Sequence, residues 1–177
     1  MRTYFLTTER MGFSIWNGED AQEAAILWGD PEVTRYLVNG GKMTPDQVIE
    51  RLGKEIECFN SQGIQYWPIF LKDTGQFVGC CGLRPLEGDV QHMEMGVHLL
   101  KEHWGNGIAT EACTAVIGYA FDRLHAEWIL AGHNPQNRAS ARLLVNLGFR
   151  FIEDKYYPPT GLMHPSYRLQ KCGRRLR

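Results

Sequence analysis

"EMGVHLLKEHWGNGIATEACTAV", residues 94–116, changes its periodicity within one short span. The first part alternates: Met93, Met95, Val97 and Leu99 lie on one side, and His92, Glu94 and His98 on the other, as in a β-strand. The last part repeats Ile108, Ala112, Ala115, Val116 and Tyr119 at helical spacing, which predicts a helix from 107 to about 124. Between them Gly105, Gly107 and Ala109 leave almost no side-chain bulk. The first N–H groups of a helix lack internal partners, and the helix dipole adds partial positive charge there. Small residues let an anion such as a phosphate come close to that backbone. Spacing alone leaves two readings open: an anion site, or a tight turn with no ligand.

Two nucleotide motifs do not fit. No Gly-Lys-Ser/Thr follows the glycines, so this is not a P-loop. Thr110 holds the third glycine place of a dinucleotide fingerprint, and the stretch lies past the middle of the chain, after strands that read as antiparallel.

Working outward, "FVGCCGL" (77–83) is apolar on both sides and suits a central strand. It pairs with "QYWPIFLK" (65–72) through a turn at Asp73-Thr74-Gly75, giving an antiparallel hairpin in which Pro68 suggests an edge or a bulge. "RMGFSIW" (10–16) reads as a further strand. Asp20 is expected to cap a helix through about Trp28, and Asp30 with Pro31 to start a second short one. Thr44 and Gln47 form a capping box for a helix whose face is Val48, Leu52, Ile56 and Phe59. After the central stretch come a strand at "EWILAGHN" (127–134), a helix at "NRASARLLVNLGF" (137–149) and strands at "FRFIED" and "SYRLQK". Asn137 can cap that helix and Gly148 can end it, with Asn134-Pro135 as a competing cap signal; Leu143, Leu144 and Leu147 face inward. The order predicts an α+β (mixed α/β) domain, residues 1–177, with a mostly antiparallel sheet of six to seven strands flanked by helices.

The chain has 177 residues, 44% of them hydrophobic and 22% charged, with a formal net charge of −1. No basic field argues for nucleic acid or an anionic membrane. Cys58, Cys80, Cys81, Cys113 and Cys172 form no C-x-x-C pair and read as reduced cysteines. No signal core or membrane span is visible, so the expectation is a cytoplasmic protein.

"EMGVHLLKEHWGNGIATEA" (94–112) followed by "NPQNRASARLLVNLGFRF" (134–151) resembles the acetyl-CoA site of the GNAT N-acetyltransferases, in their RimJ/RimL-like branch. "TTERMGFSIW" (7–16) and "DPEVTRYL" (30–37) extend the resemblance over nearly the whole chain. It implies a GNAT-like sheet splayed at the acetyl-CoA site. It implies that Trp104, Gly105, Asn106, Gly107, Ile108, Ala109 and Thr110 hold the CoA pyrophosphate through backbone N–H groups. Trp104 stands where the family usually has Gln or Arg, and is a mark of the branch that removes one charge from the site. The resemblance also implies a bulge at Val97, His98 and Leu99, whose freed backbone groups pair with pantetheine and polarise the thioester carbonyl. Asn137 would lie by the pantetheine arm.

Glu94 looks like the family's strand glutamate. It is the candidate base that takes a proton from an amine, or else a group that only positions the amine. Ser140 looks like the residue that donates to the departing thiolate, because Leu144 stands where many members carry a tyrosine. His92, Glu94 and His98 are not expected to hold a metal, since Gly96 and the expected bulge separate them. The acceptor side is less determined: 38–43 and 158–165 are loop-like, and Trp16, Trp28, Tyr36 and Trp67 could line it. The basic "KCGRRLR" reads as a solvated tail.

The expected activity is acetyl transfer from acetyl-CoA to a primary amine, a protein N-terminus or a small molecule, by direct attack in a ternary complex, with no cysteine in the cleft strand to carry the acyl group. Two alternatives stand beside it: a non-catalytic acyl-CoA-binding GNAT-like sensor or interaction domain, and a nucleotide-binding enzyme of another class. A homodimer is a further expectation, and no nucleic-acid or membrane partner is expected.

Overall fold

The alternation at the centre of the chain forms β5 (Asp89–Leu99), and the rest of the sheet is built around it. The computed structural model describes residues 2–86 and 89–171; Cys172 and the rest of the basic tail lie outside the described residues. The neighbour of β5 is β4 (Phe77–Leu86), whose near-continuous apolar run packs on both faces. Before β4 come β3 (Tyr66–Leu71), β2 (Met11–Phe13) and β1 (Leu6–Thr7), each antiparallel to the next.

The far side holds β6 (Trp128–Gly132), β8 (Leu162–Gln170) and β7 (Arg150–Tyr157). The spatial order is β1-β2-β3-β4-β5-β6-β8-β7, and β5 with β6 is the parallel pair. The expected six to seven strands are therefore eight among the described residues, because Leu6–Thr7 adds a short strand that the sequence did not announce. The α+β class, the mostly antiparallel sheet and the 65–83 hairpin stand as expected.

Helices cover both faces. On one lie α1 (Ala21–Trp28), α2 (Pro31–Thr34) and α3 (Pro45–Gln62); Trp16, Leu27, Trp28, Leu52 and Cys80 share their core. On the other lies α4 (Ile108–Asp122), with Met93, Met95, Ile108, Ala112, Cys113 and Val116 in the larger core. The last helix, α5 (Arg138–Asn146), buries Leu144 and ends at Gly148, which has φ 87°. The α3 capping box forms as read, with Thr44 accepting from the Gln47 N–H.

Two local expectations change and a third is met. Asp20 does not cap α1: Asn17 caps a 3₁₀ turn at Gly18–Asp20, and Asp20 accepts from the Asn17 N–H and pairs with Arg2 at 2.6 Å. The first predicted strand stops at Phe13, because the Trp16 N–H goes to the buried Gln65 side chain at 2.7 Å instead of to a ladder partner. Pro68 lies inside the sheet, beside a register shift between Ile69 and Phe70 in the β3–β4 pairing, in line with the irregularity expected there. It sits past the end of β2, where its carbonyl still accepts from Ser14 at 3.0 Å.

Candidate active site

The sheet opens at one place. β5 pairs with β4 in regular register from Met93 to Leu99, but with β6 only through His92, Met93 and Glu94. The expected bulge at Val97–Leu99 is absent: the shift between β4 and β5 lies at Pro85/Leu86, at the other end. The splay comes instead from the brevity of β6. β5 and β6 run parallel, so the segments leading to α4 and α5 leave from the same end of the sheet.

At that end a 3₁₀ turn (Lys101–His103) leads into the glycine loop. Gly107 is the N-cap of α4 at φ 76°, with no side chain bonded to the helix N–H groups, and Gly105 has φ 77°. Left-handed backbone of this kind is costly for residues with a Cβ. Space is open as well: a Cβ at Gly105 would meet nothing within 4 Å, and one at Gly107 only the Arg10 guanidinium at 3.5 Å. Ile108 turns its side chain into the core, so it offers the site only backbone. These features fit a phosphate held by N–H groups.

Trp104 plays a part that its sequence position did not show. Its Nε1 donates to the Leu99 carbonyl at 2.8 Å, tying the loop to the end of β5. The loop is braced from a second side by Arg10, which the sequence reading passed over. Arg10 donates from Nε to Glu111 at 2.6 Å and from Nη1 to the Asn106 carbonyl at 2.9 Å. Burial would raise Glu111, but hydrogen bonds from Thr8 and Arg10 outweigh it and hold the carboxyl below the usual range.

Glu94 lies on the α1–α3 face of β5, directly across from Arg84 of β4. Burial raises its carboxyl above the usual range, against the opposing pull of Arg84, Lys155 and Arg51. Gly96 makes room on the same face for the Tyr66 ring, whose atoms lie 2.4 Å from where a Cβ would stand. Next on this face, His98 accepts from Trp28 Nε1 through Nδ1 at 3.2 Å. Burial, then Arg51 and Arg84, hold His98 well below the usual value, so it is neutral near pH 7. Cys80 lies 3.8 Å from the same His98 nitrogen, but burial pushes its thiol far up and it is fully enclosed. A thiol so placed is no acyl carrier.

His92 does not join His98. Its ring stacks on Trp128 at 4.3 Å and its Nε2 lies 3.4 Å from Glu127. Asn137 caps α5, accepting from the Ser140 N–H at 3.1 Å. Ser140, half-buried, sits in that first turn. Asn134 forms the turn before the cap, accepting from the Gln136 N–H, and its amide reaches the Tyr36 carbonyl at 3.4 Å.

The two loops expected at the acceptor side do meet: the Asn39 N–H donates to the Pro159 carbonyl at 2.7 Å. Trp16, Trp28 and Trp67 do not line this side; each is at most 1% exposed, within the cores.

The profile of the acetyltransferase (GNAT) domain matches residues 10–150. The chain belongs to the GNAT acetyltransferase family. It is similar to the uncharacterized N-acetyltransferase p20 of Bacillus licheniformis, 32% identical with 82% of each chain covered. It is also similar to the [ribosomal protein uS5]-alanine N-acetyltransferase of Escherichia coli, 32% identical over 81% of this chain and 77% of that one. Among solved structures, a GNAT acetyltransferase from Bacillus anthracis superposes with a TM-score of 0.79 at 21% identity, covering 93% and 97% of the two chains. This GNAT acetyltransferase uses acetyl-CoA, and the RimJ/RimL-like branch agrees with its relatives. No helix among the described residues is long and apolar enough to cross a membrane.

Proposed function

We propose that this GNAT acetyltransferase moves an acetyl group to a primary amine by direct attack in a ternary complex, within one domain spanning residues 1–177. The observation that carries the reading is the early end of the β5–β6 ladder after Glu94, at the side where the bare α4 N-terminus and the α5 cap lie. Acetyl-CoA, when bound, supplies the thioester carbonyl that the amine attacks.

The backbone of Gly105 to Thr110 holds the pyrophosphate, and Arg10 provides the nearby cation that Trp104 does not. The edge of Val97–Leu99 that β6 leaves uncovered takes the pantetheine amides, apart from the Leu99 carbonyl that Trp104 holds, and one N–H there polarises the thioester carbonyl. Asn137 commits its oxygen to the α5 cap, leaving its amide N–H groups for the pantetheine arm.

Glu94 draws a proton from the incoming ammonium; burial makes its carboxylate a stronger base than a solvated one. Ser140 donates to the departing sulfur. The enclosure of Cys80, the thiol next to His98 on this face, favours direct attack over an acyl-cysteine route.

The test is calorimetric titration with acetyl-CoA and CoA, joined to mass-spectrometric detection of acetylated products from an amine panel. Binding with product is expected. Binding without product from any amine overturns the enzyme reading in favour of an acyl-CoA sensor, and competition by ATP or NAD points to another nucleotide site.

A further inference from the structure

The face of the sheet that carries Glu94 also holds an ion cluster that the transfer chemistry leaves unused. Glu55 of α3 is fully buried, and its Oε1 accepts from both Arg51, at 3.0 Å, and Arg84. Its Oε2 accepts from the Tyr66 N–H at 2.9 Å. Glu55 is thus saturated by two guanidiniums and a backbone donor.

Aromatic rings cover the flat faces of both guanidiniums. Arg84 lies 4.5 Å from the Tyr66 ring centre, and Arg51 lies 5.2 Å from that of Trp28. What remains free is the N–H edge of Arg84. Its bond to Glu55 accounts for one nitrogen. The buried side-chain nitrogens without a partner, among the described residues, are on Trp67 and His103. The other Arg84 nitrogens have no hydrogen-bond partner among the described residues and are not fully buried, and the side chain is 32% exposed.

Charge is unbalanced in the same direction. Among the described residues Arg84, Lys155 and Arg51 act on Glu94, so three cations stand against two carboxylates, Glu55 and Glu94. An ammonium arriving at Glu94 adds a further positive charge. A partly desolvated site of this kind favours a ligand that brings its own anion.

Arg84 is the residue directly opposite Glu94 in the β4–β5 register. Opposite residues on antiparallel strands have Cβ atoms roughly 5 Å apart, so a small ligand carrying both an amine and an anion can reach the two side chains together. A guanidinium edge matches a carboxylate with two parallel hydrogen bonds.

We infer that the acceptor is a small amino acid-type molecule whose carboxylate docks on Arg84 while its amine faces Glu94. The inference rests on the transferase reading above and narrows its acceptor.

The test measures initial rates with the full-length chain, acetyl-CoA and matched acceptors: α-amino acids, their methyl esters, the same amines lacking the carboxyl group, and alanine-first tetrapeptides. The acid is expected to exceed its ester in kcat/KM by at least about tenfold. Arg84→Gln should shrink that gap chiefly by raising KM for the acid, and Arg84→Lys should keep part of it. Esters, simple amines or peptides used as well as the acid would overturn the inference and leave the transferase reading intact. An undiminished gap in folded Arg84→Gln would overturn the assignment to Arg84. If no acceptor is acetylated while acetyl-CoA binds, the transferase reading fails with it. Should Arg84→Gln not fold, the wild-type acid and ester rates decide.

Discussion

The two sides of the proposed cleft are built by opposite means. The side proposed for acetyl-CoA is backbone from one short segment, residues 104–110, steadied by Trp104 and Arg10. The side proposed for the acceptor is made of side chains from distant elements: Glu94 of β5, Arg84 of β4, Arg51 and Glu55 of α3, and Tyr157 of β7, whose hydroxyl pKa is raised by burial and then by Glu94. A backbone site depends on local conformation and tolerates changes on neighbouring elements. A side-chain site depends on charges that act on one another, so a change at one residue alters the others. The two sides should therefore fail separately.

The largest separation is expected from Gly107→Glu, which puts bulk and negative charge where a phosphate would sit. Acetyl-CoA affinity should fall by at least about a hundredfold in calorimetry, with thermal stability reduced only by the positive-φ penalty of about 1 kcal/mol. Gly107→Ala carries the same backbone strain without charge and should lose far less affinity. Equal losses would mean that conformation alone, and not an anion site, governs the loop.

Glu94→Gln tests the other side. It should lower kcat/KM for the amine by about 10²–10³ while changing acetyl-CoA affinity by less than about threefold. A matching loss of acetyl-CoA affinity would join the two sides into one.

Ser140→Ala lies between them and should cost about three- to tenfold in kcat, because a thiolate leaves readily near neutral pH. A rise in the acetyl-CoA dissociation constant with kcat unchanged would reassign Ser140 to binding.

The smallest effect belongs to His98. Its native pKa lies well below the unfolded value of 6.5, so the unfolded chain binds the extra proton first as pH falls. Its contribution to stability is thus complete above pH 6.5 and lost progressively below it, towards the native pKa. Melting temperature should drop by a few degrees between pH 7.5 and 5.5. His98→Gln, which keeps an acceptor for Trp28, should flatten that slope. His164, also lowered by burial and then by His133, adds a residual slope of the same sign.

Much of this protein could be read from neighbours in sequence. The α3 capping box, the Gly148 helix end, the 65–83 hairpin and the glycine loop all rest on residues a few positions apart. What was misread depended on a remote partner. Asp20 looked like a cap, but Asn17 and Arg2 claim its carboxylate. Trp28 and Trp67 looked like candidates for a substrate wall, but packing encloses them. The splay was expected from a bulge and arises from a strand too short to follow its neighbour. Arg84 was a lone cation in an apolar strand, "GLRPL", and only the β4–β5 register sets it against Glu94.

The sequence by itself determined most of the elements, their order, and the glycine-rich start of α4, because helix caps, alternation and positive-φ turns are set by residues within a turn or two of one another. The tertiary structure alone decided which charges share a face. Glu55 and Arg84 are 29 positions apart, and Arg10 and Glu111 are 101 apart. Coulombic and hydrogen-bond energies depend on distance in space, and no local pattern in the chain encodes that distance.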